Sequence, residues 1–165
     1  MLDLNQMISS NRASAHRAAA LLLFLFASIG YTSTNLSALP ASPSTPEDRE
    51  AAAQKFVSQR LAVWKERLNL RDWSVSAQLV RPSSLEPKTL GNIRWDLDRK
   101  EATIGVLSSY EYQLPWQEML NDMEFTVVHE LVHLHLASLP RSEASRRIEE
   151  HAVNELASAL LKLAK

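Results

Sequence analysis

One stretch decides the fold of this 165-residue chain: residues 115–139, PWQEMLNDMEFTVVHELVHLHLASL. After Pro115 it contains neither Gly nor Pro, so its sequence favours an uninterrupted helix. Apolar side chains occupy most of the circumference of that helix, and a helix of this kind is buried. Pro140 prevents the helix from continuing. The stretch therefore predicts a long buried helix that ends near Leu139.

Helices and strands are both predicted around this buried helix. Apolar residues at a spacing of three and four indicate helices, whereas alternation of apolar and polar residues indicates half-buried strands. The predicted elements are a helix over 46–68 with Thr45 as its N-cap, a strand over 73–80, two strands over 92–97 and 101–107 joined by a turn into an antiparallel hairpin, and a last helix with Val153, Leu156, Ala157 and Leu160 on its apolar face. This order predicts an α+β fold, in which a small antiparallel or mixed sheet packs on the buried helix.

The composition excludes several classes of protein. The net charge is −1, so the chain lacks the excess of basic residues typical of nucleic-acid binders, and no nucleic-acid partner is expected. The chain has no cysteine, which excludes disulfides, a cysteine nucleophile, an iron–sulfur cluster and a Cys-ligated zinc finger. Its 3 glycines leave no room for a Walker A loop or a dinucleotide-binding fingerprint. A metal ion in this chain would have to be bound by His, Asp and Glu side chains.

The first 45 residues differ in composition from the rest. Residues 18–30 form an uncharged apolar run that is short for a membrane span and fits the hydrophobic region of a secretory signal. A Ser- and Pro-rich linker follows. We therefore expect a leader and linker over 1–45, or a disordered extension there, and a folded domain over 46–165. With a signal the protein is secreted, periplasmic or tethered to a membrane through residues 18–30, and without one it is cytoplasmic.

Residues 129–133 read HELVH, an HExxH motif within the predicted buried helix. The spacing of four places His129 and His133 one above the other on the same helix face, where both can bind one zinc ion. Glu130 lies about 100° round the helix from His129, within reach of a water on the metal but outside the ligand row. Zinc acidifies such a water, and a carboxylate can take its proton. Polar side chains are costly in an apolar helix unless they are paired, and a metal would pair these.

A tetrahedral catalytic zinc site with two histidines needs a third protein ligand and leaves the fourth position to water. The candidates are Glu149, Glu150, His151 and His135. His135 follows His133 by two residues and points away from it, and His151 falls on the solvent side of the last helix. Glu149 and Glu150 both fall on the inward side. Helical periodicity favours Glu149 slightly and does not decide between them.

The motif at 129–133, followed by Glu150-His-Ala-Val-Asn154, resembles the gluzincin branch of the zincin metallopeptidases. That branch combines HExxH with a glutamate on a following helix, and a polar residue four positions later hydrogen-bonds the first histidine. The resemblance implies that Glu150 is the third ligand and that Glu130 is the general base. It also implies that Asn154 orients His129, although gluzincins often have Asp at this position. The short spacing is similar to minimal zincins, such as the IrrE-like and SprT-like groups and small bacterial or phage metallopeptidases.

The resemblance further implies a minimal zincin-like domain over 46–165, one Zn²⁺ per chain, and hydrolysis of peptide bonds in a peptide or protein substrate. In zincins the strand before the active-site helix lines the cleft and pairs with the substrate, and the matching strand here is 101–107. Amide hydrolysis also needs a donor to the oxyanion, for which Tyr110, Tyr112 and His135 are candidates. The alternatives are a metal-stabilised regulatory or binding module with little turnover and a hydrolase of a non-peptide amide. The oligomeric state stays open.

Overall fold

The computed structural model describes residues 43–140 and 142–164. The leader and linker predicted over 1–45 lie outside these ranges except for residues 43–45, and the apolar run over 18–30 lies outside them entirely. Within the described part of the chain, no helix is both long enough and apolar enough to cross a membrane.

The described residues fold as an α+β structure with the elements in the predicted order. Their bounds are α1 Pro46–Arg67, β1 Ser74–Val80, β2 Gly91–Asp96, β3 Glu101–Leu107, α2 Trp116–His135 and α3 Glu143–Leu163, with 3-10 turns at Pro82–Ser84 and Ser109–Glu111. The bounds predicted for α1 and the three strands are confirmed to within one residue. Local sequence patterns were therefore sufficient to predict the bounds of these elements.

The start of α1 is confirmed at the predicted N-cap. Thr45 Oγ1 accepts a hydrogen bond from the backbone N–H of Asp48 at 3.1 Å, and Pro46 takes the first helical position. The buried side chains of α1 then recur at helical spacing: Ala53, Phe56, Val57, Leu61 and Trp64.

The buried helix α2 ends at His135, earlier than the position near Leu139 that Pro140 indicated. The backbone N–H of Ala137 donates to Leu134 O at 3.1 Å, and that of Leu139 donates to Leu136 O at 3.0 Å. These bonds span three residues rather than four, so the chain tightens into turns before it reaches the proline. The burial of α2 is confirmed, since Leu120, Val127, Leu131 and nine further side chains are buried.

The three strands form a mixed sheet in the order β1-β3-β2. The predicted hairpin is confirmed, because β2 and β3 pair antiparallel with Ile93 opposite Ile104. On its other side β3 pairs parallel with β1. The prediction that strand 101–107 offers a free edge to a substrate is therefore wrong, because ladders on both sides occupy its backbone groups. The edge strand beside α2 is β2 instead.

One face of the sheet carries the core. Ala102, Ile104 and Val106 alternate along β3 and are buried against the layer that α1 and α2 form. The opposite face is polar and exposed, with side chains such as Ser76, Gln78, Arg94 and Thr103. A mixed sheet with one solvated face accounts for the alternation that the sequence shows.

The outer edge of β1 is covered by one side chain of α1. Gln54 Nε2 donates to Ala77 O at 3.0 Å, and Gln54 Oε1 accepts from the backbone N–H of Leu79 at 2.9 Å. The amide group of Gln54 thus pairs with β1 as the backbone of a neighbouring strand would. Unpaired strand edges promote association, so this contact blocks one edge of the sheet.

We expect Gln54→Ala to destabilise the protein by about 1–3 kcal/mol, because two backbone groups of β1 lose their partner. Gln78→Ala is the matched control, since Gln78 is an exposed residue of β1 that faces solvent. Urea unfolding followed by circular dichroism measures both free energies of unfolding. Equal values for the two variants would contradict a role for Gln54 in covering this edge.

Candidate metal centre

The two histidines of the HExxH motif point at each other across one turn of α2. His129 Nε2 and His133 Nε2 lie 3.1 Å apart. Helix α3 packs against α2 and brings Glu150 to the same point. Glu150 Oε2 lies 3.5 Å from His129 Nε2, and Glu150 Oε1 lies 3.4 Å from His133 Nε2. These three side chains therefore form a compact triad, which we call the His/His/Glu triad.

The outer nitrogen of each ring is held by α3. His133 Nδ1 lies 3.0 Å from Glu149 Oε1, and His129 Nδ1 lies 3.1 Å from Asn154 Oδ1. A carboxylate only accepts hydrogen bonds, so this contact favours the His133 tautomer with its proton on Nδ1 and its lone pair on Nε2. The amide oxygen of Asn154 selects the same tautomer for His129. Both Nε2 lone pairs thus point into the triad.

Burial acts on the charge state of the His129 ring. It lowers the pKa of His129, and the neighbouring His133 lowers it further, against the opposing effects of Glu150 and Asn154. A neutral imidazole is the form that binds metals. Two imidazole nitrogens and a carboxylate oxygen converge here, and such a group of atoms attracts a cation.

The spacing of the triad fits a metal ion. Zinc bonds of about 2.0–2.2 Å in a tetrahedral arrangement place neighbouring ligand atoms about 3.3–3.6 Å apart. Of the three separations observed, 3.4 and 3.5 Å fall in this range and 3.1 Å is slightly shorter. His129, His133 and Glu150 lie close enough together to bind one metal ion.

The structure separates the two adjacent glutamates that the sequence left as alternatives. Glu150 faces the Nε2 atoms, whereas Glu149 contacts the opposite nitrogen of His133. Both lie on the inward side of α3, as helical periodicity indicated, and that is why periodicity alone could not rank them. The two other candidates, His135 and His151, are exposed. The position of Asn154 agrees with the orienting role that the family resemblance implied.

Glu130 stands beside the triad without joining it. The residue is buried, with 6% of its surface exposed, and it lines the same cavity as the triad. Burial raises the pKa of Glu130 to about 8, and the negative charge of Glu150 adds to the effect. The HExxH spacing predicted this arrangement, in which the glutamate borders the two histidines without lying in their row on the helix.

An open cavity of about 990 Å³ surrounds the triad. One wall consists of α2 and α3, and the opposite wall consists of β2 and the segment before it. Among the lining side chains are the triad, Glu130, Asn154, Ile93, Trp95, Phe125 and Thr126. Phe125 lies one turn before His129, with 6.1 Å between the two ring centroids.

The three predicted oxyanion donors lie outside this cavity. Tyr110 is exposed, and partial desolvation together with Glu47 and Glu50 raises the pKa of its hydroxyl. The hydroxyl of Tyr112 is buried, and the pKa of Tyr112 is raised by that burial and by the charge of Asp122. His135 is exposed at the end of α2, on the side away from His133 as its spacing indicated. The structure therefore does not bring these groups to the triad.

Gly91 is a site residue that the sequence analysis missed. A Cβ atom at this position would lie 2.3 Å from Thr126 Cγ2 and 3.1 Å from Glu130 Oε1. The absence of a side chain therefore lets β2 approach α2 closely and rest against Glu130. An isolated glycine at the start of a strand often marks such an approach, and this was the available signal.

Comparison with known proteins gives no match: no protein-family model, no curated protein and no solved structure matches this chain.

We expect Gly91→Ala to destabilise the protein by about 1–3 kcal/mol, because the new methyl group overlaps Thr126 Cγ2. Thr126→Ser removes that methyl group and keeps the hydroxyl that donates to Asp122 O at 3.0 Å. The double variant should therefore recover part of the loss. Thermal unfolding of the four chains of this double-mutant cycle measures the coupling.

Gly105→Ala is the matched control. An added Cβ at Gly105 would lie 2.6 Å from Asn92 Oδ1, the end of a side chain that can turn away. This substitution should therefore destabilise the protein less than Gly91→Ala. If Thr126→Ser restores no stability to Gly91→Ala, the close approach is not the reason for glycine at this position.

Proposed function

We propose that this protein is a zinc-dependent metallopeptidase with a minimal zincin-like domain. One observation carries the proposal: two Nε2 lone pairs and one carboxylate converge in an open cleft, and a buried carboxylate that is not a ligand borders them. His129, His133 and Glu150 would bind the zinc ion, one per chain. Glu149 and Asn154 would orient the two rings.

The donor set favours zinc among common metals. Two imidazoles and one carboxylate are the ligands of many catalytic zinc sites, which keep a further position open for water or substrate. Magnesium and calcium prefer sites made of oxygen ligands only. When bound, zinc supplies Lewis-acid chemistry, which polarises a carbonyl group and acidifies water.

Glu130 has the position of a general base. Its carboxylate lines the cavity next to the two histidines, yet helix geometry keeps it out of the ligand row. In the proposed reaction Glu130 takes a proton from the attacking water and later delivers it to the leaving amine. The carboxylate is buried, and it lies so near Gly91 that an added Cβ there would come within 3.1 Å of Glu130 Oε1.

The position of β2 at the edge of the sheet favours a peptide substrate over a small amide. In an antiparallel pair, backbone groups point alternately toward and away from the partner strand. The backbone N–H of Leu107 donates to Leu90 O at 2.8 Å, so Leu90, Asn92 and Arg94 face β3. Gly91, Ile93 and Trp95 consequently turn their N–H and C=O groups away from β3, toward the outer edge of the sheet, where an extended peptide would add as a strand.

We expect the full-length chain to bind one zinc ion. We also expect substitutions of the two glutamates to lower zinc affinity to different extents. Glu150→Gln should lower zinc affinity most, because it alters a ligand. Glu149→Gln should lower it by about 10–100-fold, because it weakens the hydrogen bond that orients His133. Competition with a chromophoric chelator measures the affinities.

Glu155→Gln is the matched control, since Glu155 is an exposed glutamate of the same helix and should leave zinc affinity unchanged. A folded wild-type chain that binds no zinc would contradict the proposal. A larger effect for Glu149→Gln than for Glu150→Gln would make Glu149 the ligand.

We expect Glu130→Gln to retain zinc and to lower the hydrolysis of casein by about 10²–10⁴-fold, because the amide cannot accept the proton of the attacking water. Release of fluorescent fragments from labelled casein measures the rate, with Glu155→Gln again as the control. Equal rates in wild type and Glu130→Gln would exclude Glu130 as the base. Zinc binding without hydrolysis of casein or a peptide library would favour the alternative of a metal-stabilised binding module.

A further inference from the structure

A lysine in a strained backbone conformation stands on the wall of the cavity around the triad. Within the described part of the chain, the residues other than glycine with a left-handed backbone are Asn69, Lys88 and Lys100. Of these, Lys88, with φ at 69°, lines the cavity. This conformation is unfavourable for a residue with a Cβ atom, and such outliers cluster at functional sites.

The turn that contains Lys88 is of a kind that prefers glycine in its place. The backbone N–H of Thr89 donates to Glu86 O at 3.1 Å, which closes a four-residue turn over 86–89. Pro87 takes the second position and the left-handed Lys88 takes the third, which is the pattern of a type II turn. Glycine is favoured at the third position because it has no Cβ. The turn geometry therefore gives no reason for a lysine.

The two other left-handed residues have local reasons for their conformation. Asn69 is of a residue type that tolerates it, and Lys100 forms an ion pair with Asp72 through Nζ. The side chain of Lys88 is exposed, and among the described residues none pairs with it. Its ammonium group is therefore available to a ligand in the cavity.

The other charged residues of the cavity leave this ammonium group uncompensated. On the wall of α2 and α3, Glu149 and Glu150 are engaged with the two histidines. On the wall of Lys88, Glu86 is engaged in contacts of its own. Arg94 adds a second positive charge to this wall from the solvent face of β2. A wall of this charge attracts an anionic group of a ligand.

We propose that Lys88 is a specificity-determining residue, which selects substrates with an acidic side chain near the scissile bond. This proposal rests on the proposed function. Lys88 precedes Gly91, which lies beside Glu130, by three residues. Three residues of extended chain span about 10 Å, so the lysine reaches an extended substrate about two to four residues from the reacting bond. Because Lys88 lies to one side of Gly91, we expect the acidic side chain on one side of the scissile bond only.

Matched peptides test this preference by binding. The probes are fluorescent ten-residue peptides of alternating Ala and Glu, Ala and Gln, or Ala and Lys, so that a test side chain lies within reach of Lys88 in any register. They are titrated against the full-length, zinc-loaded Glu130→Gln chain, and fluorescence polarisation measures the affinities. We expect the Glu peptide to bind about two- to fivefold more tightly than the Gln peptide, which is the effect of one exposed charge pair.

Three substitutions connect the preference to Lys88. Lys88→Gly suits the turn and should keep or raise the Tm, yet it should abolish the preference for the Glu peptide over the Gln peptide. Lys88→Glu should reverse the preference, so that the Lys peptide binds more tightly than the Glu peptide. Arg81→Gln is the matched control, since Arg81 is exposed and lies outside the cavity lining, and it should retain the wild-type ratio of affinities.

Cleavage of a proteome-derived peptide library by the wild type separates this proposal from the proposed function. Mass spectrometry of the fragments should show Asp and Glu enriched on one side of the cleaved bonds, and Lys88→Gly should abolish this enrichment. Cleavage without the enrichment would overturn the role of Lys88 and uphold hydrolysis. A ratio of affinities that Lys88→Gly leaves unchanged would also overturn that role. A ratio that depends on Lys88, in a chain that cleaves no peptide, would uphold the charge selection and reject hydrolysis.

Discussion

The structure depends on how polar side chains are paired within the apolar helix α2. His129, Glu130 and His133 interrupt a helix whose other inward side chains are mostly apolar, and burial without partners would cost several kcal/mol. Helix α3 provides the partners, since Asn154 and Glu149 hold the outer nitrogens of the two rings. The contacts that dock α3 on α2 therefore also order the His/His/Glu triad.

On the opposite side of α2, a carboxylate is likewise paired by side chains of a neighbouring helix. Glu124 accepts hydrogen bonds from Arg60 Nε and Trp64 Nε1, both at 2.7 Å, and this joins α1 to α2. The sheet has two edge strands, and only the outer edge of β1 is covered by a side chain of α1. Gln54 closes β1, whereas the absence of a side chain at Gly91 brings the open edge of β2 to Glu130. In the proposed enzyme, strand pairing and metal chemistry meet at this point.

Much of this arrangement could be predicted from local patterns. The spacing of His129 and His133 predicts that their side chains lie together, because residues four apart fall on the same face of any α-helix. The turn after β2 sets the hairpin, because neighbouring strands joined by a short turn pair with each other. The parallel partner of β3 could not be predicted in this way, since β1 reaches it through a crossover that leaves no local signal. For that reason the wrong strand was expected to line the cleft.

The sequence by itself determined the secondary structure, the HExxH pair and the chemistry open to a chain without cysteine, since these follow from side-chain type and short spacing. Tertiary structure alone decided the roles of Glu149 and Glu150, because two adjacent residues on one helix face are distinguished only by the helix opposite them. It also decided that β2 is the edge strand beside α2 and that Gly91 lies next to Glu130. These are contacts between segments far apart in the chain, and no periodicity within either segment records them.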